Sequence, residues 1–282
     1  MNNKPILGIV VPCYNEEDVL PDTAEKLSVK LKQLKTDGLI SEESRVFFVD
    51  DGSKDNTWNI IKKYNKDIPS FCGGIKLSRN RGHQNALLCG LLTVKDIVNI
   101  TVSIDADLQH DIEAIDEMLI KYNEGFEIVL GVRSARKTDS FLKRITAQGF
   151  YHFMQSSGVD ILKNHADFRL MGKNALGALA EYSEVNLFLR GIIPLLGFKT
   201  EIIYFNEKLR LAGESKYPLK KMLQFALDGI TSFSIKPIRF ITMLGILVFT
   251  ISIAIMIYYF FVYFTGQTVP GWASIVCSLW GI

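Results

Sequence analysis

Charged residues are missing from the last part of the chain. From Phe240 to Ile282 there is no Lys, Arg, Asp or Glu, although these residues make up 22% of the 282-residue sequence. The stretch from Phe240 to Phe264 exceeds the roughly 20 apolar residues that cross a bilayer, so we expect a membrane span there. The apolar run from Trp272 to Ile282 reaches only about half of a hydrocarbon core, and we expect a second membrane helix that is cut short.

Cysteine is scarce, and several common binding motifs are missing. Cys13, Cys72, Cys89 and Cys277 form no CxxC pair, so we expect buried thiols in a reducing compartment rather than disulfides. The chain has no GxGxxG, Walker A or HExxH motif, which argues against nicotinamide enzymes, P-loop ATPases and zinc peptidases. A net charge of only +2 gives no strong attraction for nucleic acid, and we expect no nucleic-acid partner.

Short apolar runs alternate with helical patterns over the first half of the chain. The predicted strands are Ile6–Val11, Val46–Val49, Ile75–Leu77, Val98–Ile104 and Ile128–Val132. Helical spacing joins apolar residues from Leu20 to Leu34 and from Ile112 to Tyr122. This alternation predicts an α/β fold with a doubly wound, mostly parallel sheet and helices on both faces. In such sheets ligands bind at the carboxyl ends of the strands.

The segment before the uncharged stretch has one apolar helical face, which includes Leu219, Leu223 and Leu227, with Lys220 and Lys221 beside it. This pattern favours a helix in the membrane interface, and an ordinary surface helix is the alternative. Basic residues precede the span and none follows it, which places the large domain in the cytoplasm. We therefore expect a cytoplasmic domain over 1–214, interfacial helices over 215–239 and a membrane region over 240–282.

Two carboxylates follow the fourth predicted strand in the sequence SIDADLQH. Side chains two apart on a strand point to one side, so Asp105 and Asp107 would repel each other unless a cation lay between them. Gln109 could add a carbonyl oxygen. Such hard oxygen ligands favour Mg²⁺ or Mn²⁺, which also bind substrate phosphates. The alternative is a pair of ordinary loop acids.

A second acidic strand end lies in VDDGSKDNT, after the second predicted strand. Asp50 and Asp51 would lie on the same sheet edge as Asp105. An acid there can accept a hydrogen bond from a base or from ribose hydroxyls. The alternative is a plain turn, since Asp, Gly and Ser are turn residues.

These motifs, taken in order along the chain, resemble a known enzyme family. VPCYNEE, VDDGSKDNT and SIDADLQH are followed by GVRSAR, ADFRLM and LRLAGESKY, and then by the apolar C-terminal segment. The series resembles the inverting family-2 glycosyltransferases of the GT-A fold. Within that family it is similar to the polyprenyl-phosphate glycosyltransferases, such as dolichyl-phosphate mannose synthase and bacterial undecaprenyl-phosphate glucosyltransferases. The resemblance covers essentially the whole chain and departs at the incomplete second membrane helix.

The resemblance implies roles for individual residues. The nucleotide site would be formed by Pro12, Tyr14, Glu16, Asp51, Asp105, Arg210 and Lys216. The metal ligands would be Asp105, Asp107 and Gln109. The acceptor phosphate would be bound by Arg133 and Arg144, with Arg136 and Lys143 as alternatives.

Asp167 in ADFRLM matches the proposed catalytic base of that family. A phosphate monoester has a second pKa of about 6, however, and is largely ionised at cytosolic pH without a base. Asp167 could instead orient the acceptor, hold a donor hydroxyl or form a structural pair with Arg169. We interpret His83 and His110 as polar contacts at the site rim, with His165 as a weaker candidate.

The implied activity is the inverting transfer of a sugar from a UDP-sugar to polyprenyl (undecaprenyl) phosphate. We expect glucose or N-acetylglucosamine as the sugar, Mg²⁺ or Mn²⁺ as the cofactor, and a role in cell-envelope glycan modification. The site would face the cytoplasm at the plasma membrane. The resemblance also implies a homo-oligomer, such as a tetramer, and a small membrane flippase as a partner.

Three alternatives remain at this point. A processive polysaccharide synthase would carry a QxxRW motif, which the chain lacks. A non-catalytic, nucleotide-binding membrane scaffold would not need the whole acidic set. A membrane-tethered transferase acting on a soluble acceptor is the third.

Overall fold

The computed structural model describes residues 4–107, 109–134, 165–182, 189–206, 236–266, 271 and 275. The chain divides into two compact units, Met1–Ser232 and Phe233–Ile282. The predicted interfacial helices lie outside the described residues, apart from the start of the C-terminal helix. The second predicted membrane helix also lies outside them, except for Ile275.

A seven-stranded sheet forms the centre of the first unit. Its strands are β1 (Leu7–Cys13), β2 (Arg45–Asp50), β3 (Cys72–Lys76), β4 (Ile100–Ser103), β5 (Ile128–Arg133), β6 (His165–Gly172) and β7 (Thr200–Phe205). The spatial order is β3-β2-β1-β4-β6-β5-β7. Every neighbouring pair is parallel except β4–β6 and β5–β6, which are antiparallel. The predicted mostly parallel sheet is confirmed, and all five predicted strands are present.

Among the described residues of this unit, six helices accompany the strands: α1 (Leu20–Thr36), α2 (Thr57–Asp67), α3 (His83–Val94), α4 (Ala114–Asn123), α5 (Lys173–Glu181) and α6 (Leu189–Leu195). Buried residues of α1 and α4 share one apolar core with Ile9 of β1. A Cβ added at Gly90 of α3 would instead lie 2.5 Å from Val10. Because successive strand residues point to opposite faces, α3 lies across the sheet from α1 and α4. The prediction of helices on both faces is therefore confirmed.

Strand β6 is the main element that the sequence patterns missed. Its side chains alternate between charged and apolar types, with Asp167 and Arg169 interleaved with Phe168 and Leu170. All four side chains are buried. A search for continuous apolar runs passes over such a segment, because buried charges are rare and are usually paired. The strand lies between β4 and β5, and Arg169 is in register with Ser103, the last residue of β4. Asp167 therefore lies just past the carboxyl end of β4.

The second unit contains one long helix, α7 (Lys236–Phe264). Its segment Ile238–Phe264 has 27 residues and a mean hydropathy of 2.6, and none of its most apolar window is buried. At 1.5 Å per residue this segment is about 40 Å long, enough to cross a hydrocarbon core. Within the described ranges it is the one helix of that length and composition. The predicted apolar helix is confirmed, while a set of several membrane helices is not shown.

Candidate active site

Two loops after β1 and β2 are joined by hydrogen bonds between backbone and side chains. Three consecutive amides of the first loop donate to the second: Asn15 to Ser53 Oγ at 3.0 Å, Glu16 to Thr57 Oγ1 at 2.9 Å and Glu17 to Asp55 Oδ2 at 3.1 Å. In return, the Lys54 amide donates to Asn15 Oδ1 and the Asn56 amide to Glu17 Oε2, both at 2.9 Å. The two motifs VPCYNEE and VDDGSKDNT therefore form one surface. Pro12 is buried in β1, while Tyr14 and Glu16 are half-buried just past its end.

Asp51 connects this surface to the start of α3. Its Oδ1 accepts the Arg81 amide at 2.7 Å and its Oδ2 accepts the Gly82 amide at 2.9 Å. Burial raises the pKa of the Asp51 carboxyl, and the two amide hydrogen bonds offset only part of that rise. Gly52 has φ +68°, and a Cβ there would lie 2.5 Å from the Arg79 carbonyl carbon. The Asp-Asp-Gly turn thus fixes the loop that leads into α3, and contact between Asp51 and a base stays a prediction.

The paired acids of SIDADLQH lie on a turn rather than on a strand. β4 ends at Ser103, so the expectation that Asp105 and Asp107 share one side of a strand is wrong. Two hydrogen bonds within the segment stabilise this turn. The Gln109 amide donates to Asp107 Oδ1 at 3.1 Å, and the Asp105 amide donates to His110 Nδ1 at 3.4 Å.

His110 is fully buried beneath this turn, so its predicted place at the site rim is wrong. Its ring stacks on Phe168, with ring centroids 5.2 Å apart, and meets the Phe205 ring edge-on. Burial lowers the pKa of His110, and the charge of Asp105 offsets only part of that. Since Nδ1 accepts a backbone N–H, the proton of the neutral ring is on Nε2, which lies 3.7 Å from Asp105 Oδ2.

Asp167 lies at the centre of a buried ionic cluster. Arg169 Nη2 donates to Asp167 Oδ1. Arg190 makes a two-pronged contact, with Nε 3.2 Å from Oδ1 and Nη2 2.9 Å from Oδ2. Gln84 Nε2 donates to Oδ2 at 3.3 Å, and its Oε1 accepts the Leu189 amide at 3.0 Å. The side chain of Asp167 is only 4% exposed, so these partners shield it from solvent.

The cluster keeps Asp167 ionised. Burial alone would raise its pKa, but Arg190, the hydrogen bond from His83 and Arg169 together hold the pKa well below its usual range. The Nε and Nη1 atoms of Arg169 have no hydrogen-bond partner among the described residues. Asp167 is therefore the hydrogen-bonding counter-ion of a buried guanidinium, and its depressed pKa makes it a weak proton acceptor.

His83 lies between Asp105 and Asp167. Its Nε2 lies 3.4 Å from Asp167 Oδ2 and 3.5 Å from Asp105 Oδ1. Burial by itself would lower the pKa of His83, but the hydrogen bond to Asp167 and the charge of Asp105 raise it overall. The side chain is 30% exposed, which agrees with the rim position expected for it.

Sequence reasoning missed Gln84 and Arg190 as members of the site. Gln84 lies 83 residues from Asp167 and Arg190 lies 23 residues from it, and neither falls in a motif that the patterns singled out. A partial signal was available for Gln84, because polar residues follow the third predicted strand where a helix begins. No comparable signal marks Arg190.

The predicted phosphate-binding residues are only partly described. Arg133 is the last residue of β5, where it is half-buried and its charge acts on His110. It therefore lies at the same edge of the sheet as Asp105. Arg136, Lys143, Arg144, Arg210 and Lys216 lie outside the described residues.

The donor set fits a divalent cation that is shared with a substrate. In the described part of the chain, no three His, Cys, Asp or Glu side chains come together to hold a metal. Mg²⁺ is commonly bound through one or two protein carboxylates together with water and substrate phosphates. Asp105 and Asp107 supply such hard oxygens at the carboxyl end of β4, so the residues present fit a metal–diphosphate site rather than a closed protein cage.

Comparison with known proteins finds relatives over nearly the whole chain. The model of the family Glycosyl transferase family 2 matches residues 8–179. The uncharacterized glycosyltransferase YkoT of Bacillus subtilis (strain 168) is 50% identical over 99% of this chain and 82% of its own length. The bactoprenol glucosyl transferase of Shigella phage SfX is 36% identical, covering 97% of this chain and 87% of its own length.

Solved structures share the fold at low identity. Glucosyl-3-phosphoglycerate synthase from Mycobacterium tuberculosis, in complex with phosphoglyceric acid, has a TM-score of 0.52 and 15% identity. The match covers 81% of this chain and 80% of that one. The family match and the close relatives together establish that the chain belongs to glycosyl transferase family 2 and is a glycosyltransferase.

Proposed function

We propose that this glycosyltransferase moves a hexose from a UDP-sugar to a polyprenyl phosphate such as undecaprenyl phosphate. Glucose is the favoured sugar because several relatives are named bactoprenol glucosyl transferases, and N-acetylglucosamine is the other sugar to test. The observation that carries the proposal is the ionised Asp167, held between Arg169 and Arg190. A weak base suits an acceptor that arrives already ionised, as a phosphate monoester does.

The apolar helix α7 supports a lipid acceptor. With 27 consecutive residues of high mean hydropathy and exposed side chains, it fits an anchor in the plasma membrane. Basic residues before this helix favour a catalytic domain on the cytoplasmic side, with 215–239 at the interface. The acceptor phosphate would then lie at the headgroup level, while its tail stays in lipid.

In the proposed reaction, a lipid phosphate oxygen attacks the anomeric carbon of the donor sugar in line. The bond from that carbon to the UDP oxygen breaks, its electron pair leaves with UDP, and the configuration inverts. Asp105, Asp107 and Gln109 would hold a Mg²⁺ or Mn²⁺ ion, which when bound would supply positive charge that stabilises the departing diphosphate. Asp167 orients the acceptor through its ion-pair partner Arg190, which is partly exposed, rather than removing a proton.

The other proposed contacts follow from the family resemblance. Pro12, Tyr14, Glu16 and Asp51 line the nucleotide site, where the joined loops after β1 and β2 give a preformed surface. Arg210 and Lys216 bind the donor diphosphate, and Arg133 and Arg144 bind the acceptor phosphate, because phosphate oxygens accept charge-assisted hydrogen bonds.

The test is a panel of labelled nucleotide sugars incubated with the full chain, Mn²⁺ and undecaprenyl phosphate. Organic extraction and product mass should show a lipid-linked monophosphate sugar, with UDP-glucose giving the fastest turnover. Label that remains wholly water-soluble would favour a soluble acceptor, and polymeric label would favour a processive synthase. No turnover with any donor would favour a nucleotide-binding scaffold, and each of these results overturns the proposal.

Two partners are also proposed from the family resemblance, namely further copies of this chain, as in a tetramer, and a small membrane flippase. Light scattering in detergent measures the first, where a monomer would contradict it. Copurification with a co-expressed flippase candidate measures the second, where no retention would contradict it.

A further inference from the structure

The geometry points to His83 as a positioning residue that holds Asp105 and Asp167 at a fixed separation through one imidazole nitrogen. The inference rests on the proposed function, in which Asp105 faces the donor and Asp167 faces the acceptor. Two carboxylates from different elements, the turn after β4 and strand β6, approach the same atom within 3.5 Å. Like charges this close repel each other, and a donor between them offsets that repulsion.

The two distances show how the nitrogen is shared. His83 Nε2 lies 3.4 Å from one carboxylate and 3.5 Å from the other, both longer than the usual 2.7–3.2 Å of a direct N–H···O bond. One N–H cannot point fully at two oxygens, so a nearly equal pair of long contacts is the expected compromise. A shift of either carboxylate therefore changes the hydrogen bond to the other.

The position of His83 is itself fixed by the protein. His83 is the first residue of α3, and the two residues before it donate their amides to the buried Asp51. The next residue, Gln84, ties the same turn to both Asp167 and Leu189. The positive end of the 12-residue helix also faces the acids, which favours negative charge there. These contacts fix the backbone around His83 and so hold its imidazole in place, as a positioning role requires.

The experiment compares three variants of the full chain: His83→Ala, His83→Gln and Asn85→Ala. His83→Gln keeps an N–H donor of similar reach. Asn85 lies in the same helical turn, but it is exposed and donates to the Arg81 carbonyl at 2.9 Å, so its variant is the matched control. The readouts are kcat, KM for each substrate, the melting temperature, and Mn²⁺ affinity with UDP alone by electron paramagnetic resonance.

We expect His83→Ala to lower kcat by roughly 10- to 100-fold and to weaken Mn²⁺ binding about tenfold, the usual cost of losing a group that orients a ligand. KM for the lipid acceptor should change less than about threefold, His83→Gln should recover most of kcat, and Asn85→Ala should match the wild type. Wild-type kcat and Mn²⁺ affinity in His83→Ala would overturn the inference. So would equal losses in the Gln and Ala variants.

Failure of this inference and failure of the proposed function give different results. The Mn²⁺ titration with UDP needs no acceptor, so it reports on His83 even if the wild type makes no lipid-linked sugar. If the wild type does make that product and His83→Ala behaves like it, only the role of His83 is wrong.

Discussion

The two sides of the candidate active site are held by different kinds of interaction. On the side proposed to bind the nucleotide, called the nucleotide side below, the loops 14–17 and 53–57 are joined by backbone amides that donate to short polar side chains. On the Asp167 side, a single buried carboxylate is shared by two guanidinium groups, an imidazole and an amide. The first side divides its stability among many modest bonds, whereas the second concentrates it in one charge. Substitutions should therefore act gradually on the first side and abruptly on the second.

The largest effect is expected from Asp167→Asn. The shape is kept, but the buried Arg169 loses its counter-ion, and breaking a buried ion pair costs about 3 kcal/mol or more. For a domain of this size the melting temperature should fall by roughly 6 to 12 °C. Differential scanning fluorimetry of the full chain in detergent measures this. The control is Asp96→Asn, which breaks a surface ion pair whose carboxylate is 76% exposed. An equal, small fall of the melting temperature in both variants would show that Asp167 does not concentrate stability on its side of the site.

This contrast also explains how far the sequence could predict the site. The acidic turn in VDDGSKDNT follows from local turn chemistry, so its position at a strand end could be predicted and is confirmed, while nucleotide binding there stays a prediction. The Asp167 side depends on Gln84 and Arg190, which reach Asp167 from α3 and α6. Only the packing of those helices brings these residues together, and no spacing in one sequence encodes it. Sequence reasoning identified Asp167 and its partner Arg169, but not Gln84 or Arg190.

The antiparallel strand β6 and the turn at Asp105 are parts of the fold that sequence patterns also could not predict. Alternation of charged and apolar residues hid β6, although its neighbours β4 and β5 could be predicted from apolar runs. The end of β4 at Ser103 is set by hydrogen bonds within the turn that follows. A strand boundary of that kind depends on side-chain partners rather than on apolar pattern.

Asp107→Asn should separate activity from stability. Asp107 is half-buried on the turn beyond β4, and asparagine keeps the oxygen that accepts the Gln109 amide, so the melting temperature should stay within about 1 °C of the wild type. Turnover should fall at least about 100-fold, because a carboxylate ligand is removed from the proposed metal site. Initial rates across a Mn²⁺ titration measure this, with Asp96→Asn as the control. Wild-type metal dependence in Asp107→Asn would remove Asp107 from the ligand set.

A pair of glycine substitutions measures how rigid the nucleotide side is. Gly52 and Gly82 both have positive φ, +68° and +89°. A Cβ added at Gly52 would lie 2.5 Å from the Arg79 backbone, whereas a Cβ added at Gly82 would have no other atom within 4 Å. Gly82→Ala should cost about 1 kcal/mol, because φ +89° with ψ 152° is an extended conformation that glycine adopts much more readily than alanine. Gly52→Ala should cost about 2 kcal/mol, because about 1 kcal/mol of overpacking is added. Equal melting temperatures for the two variants would show that the loop 79–82 moves to make room for the added methyl group.

The smallest effect concerns Asp55, which accepts the amides of Glu17 and Thr57. Burial would raise its pKa, but the hydrogen bonds from Thr57 and from the Glu17 amide lower it overall, below the ordinary 3.8. A carboxyl whose folded-state pKa is depressed stabilises the protein above its unfolded pKa and loses that contribution as the pH falls through the folded value. Asp55→Asn should therefore cost roughly 0.5 kcal/mol near neutral pH, since solvent screens a partly exposed group. The difference from the wild type should shrink as the pH falls below 3.8, as melting curves across an acid series would show. A difference that stays constant across that series would mean that the charge of Asp55 does not contribute to joining the two loops.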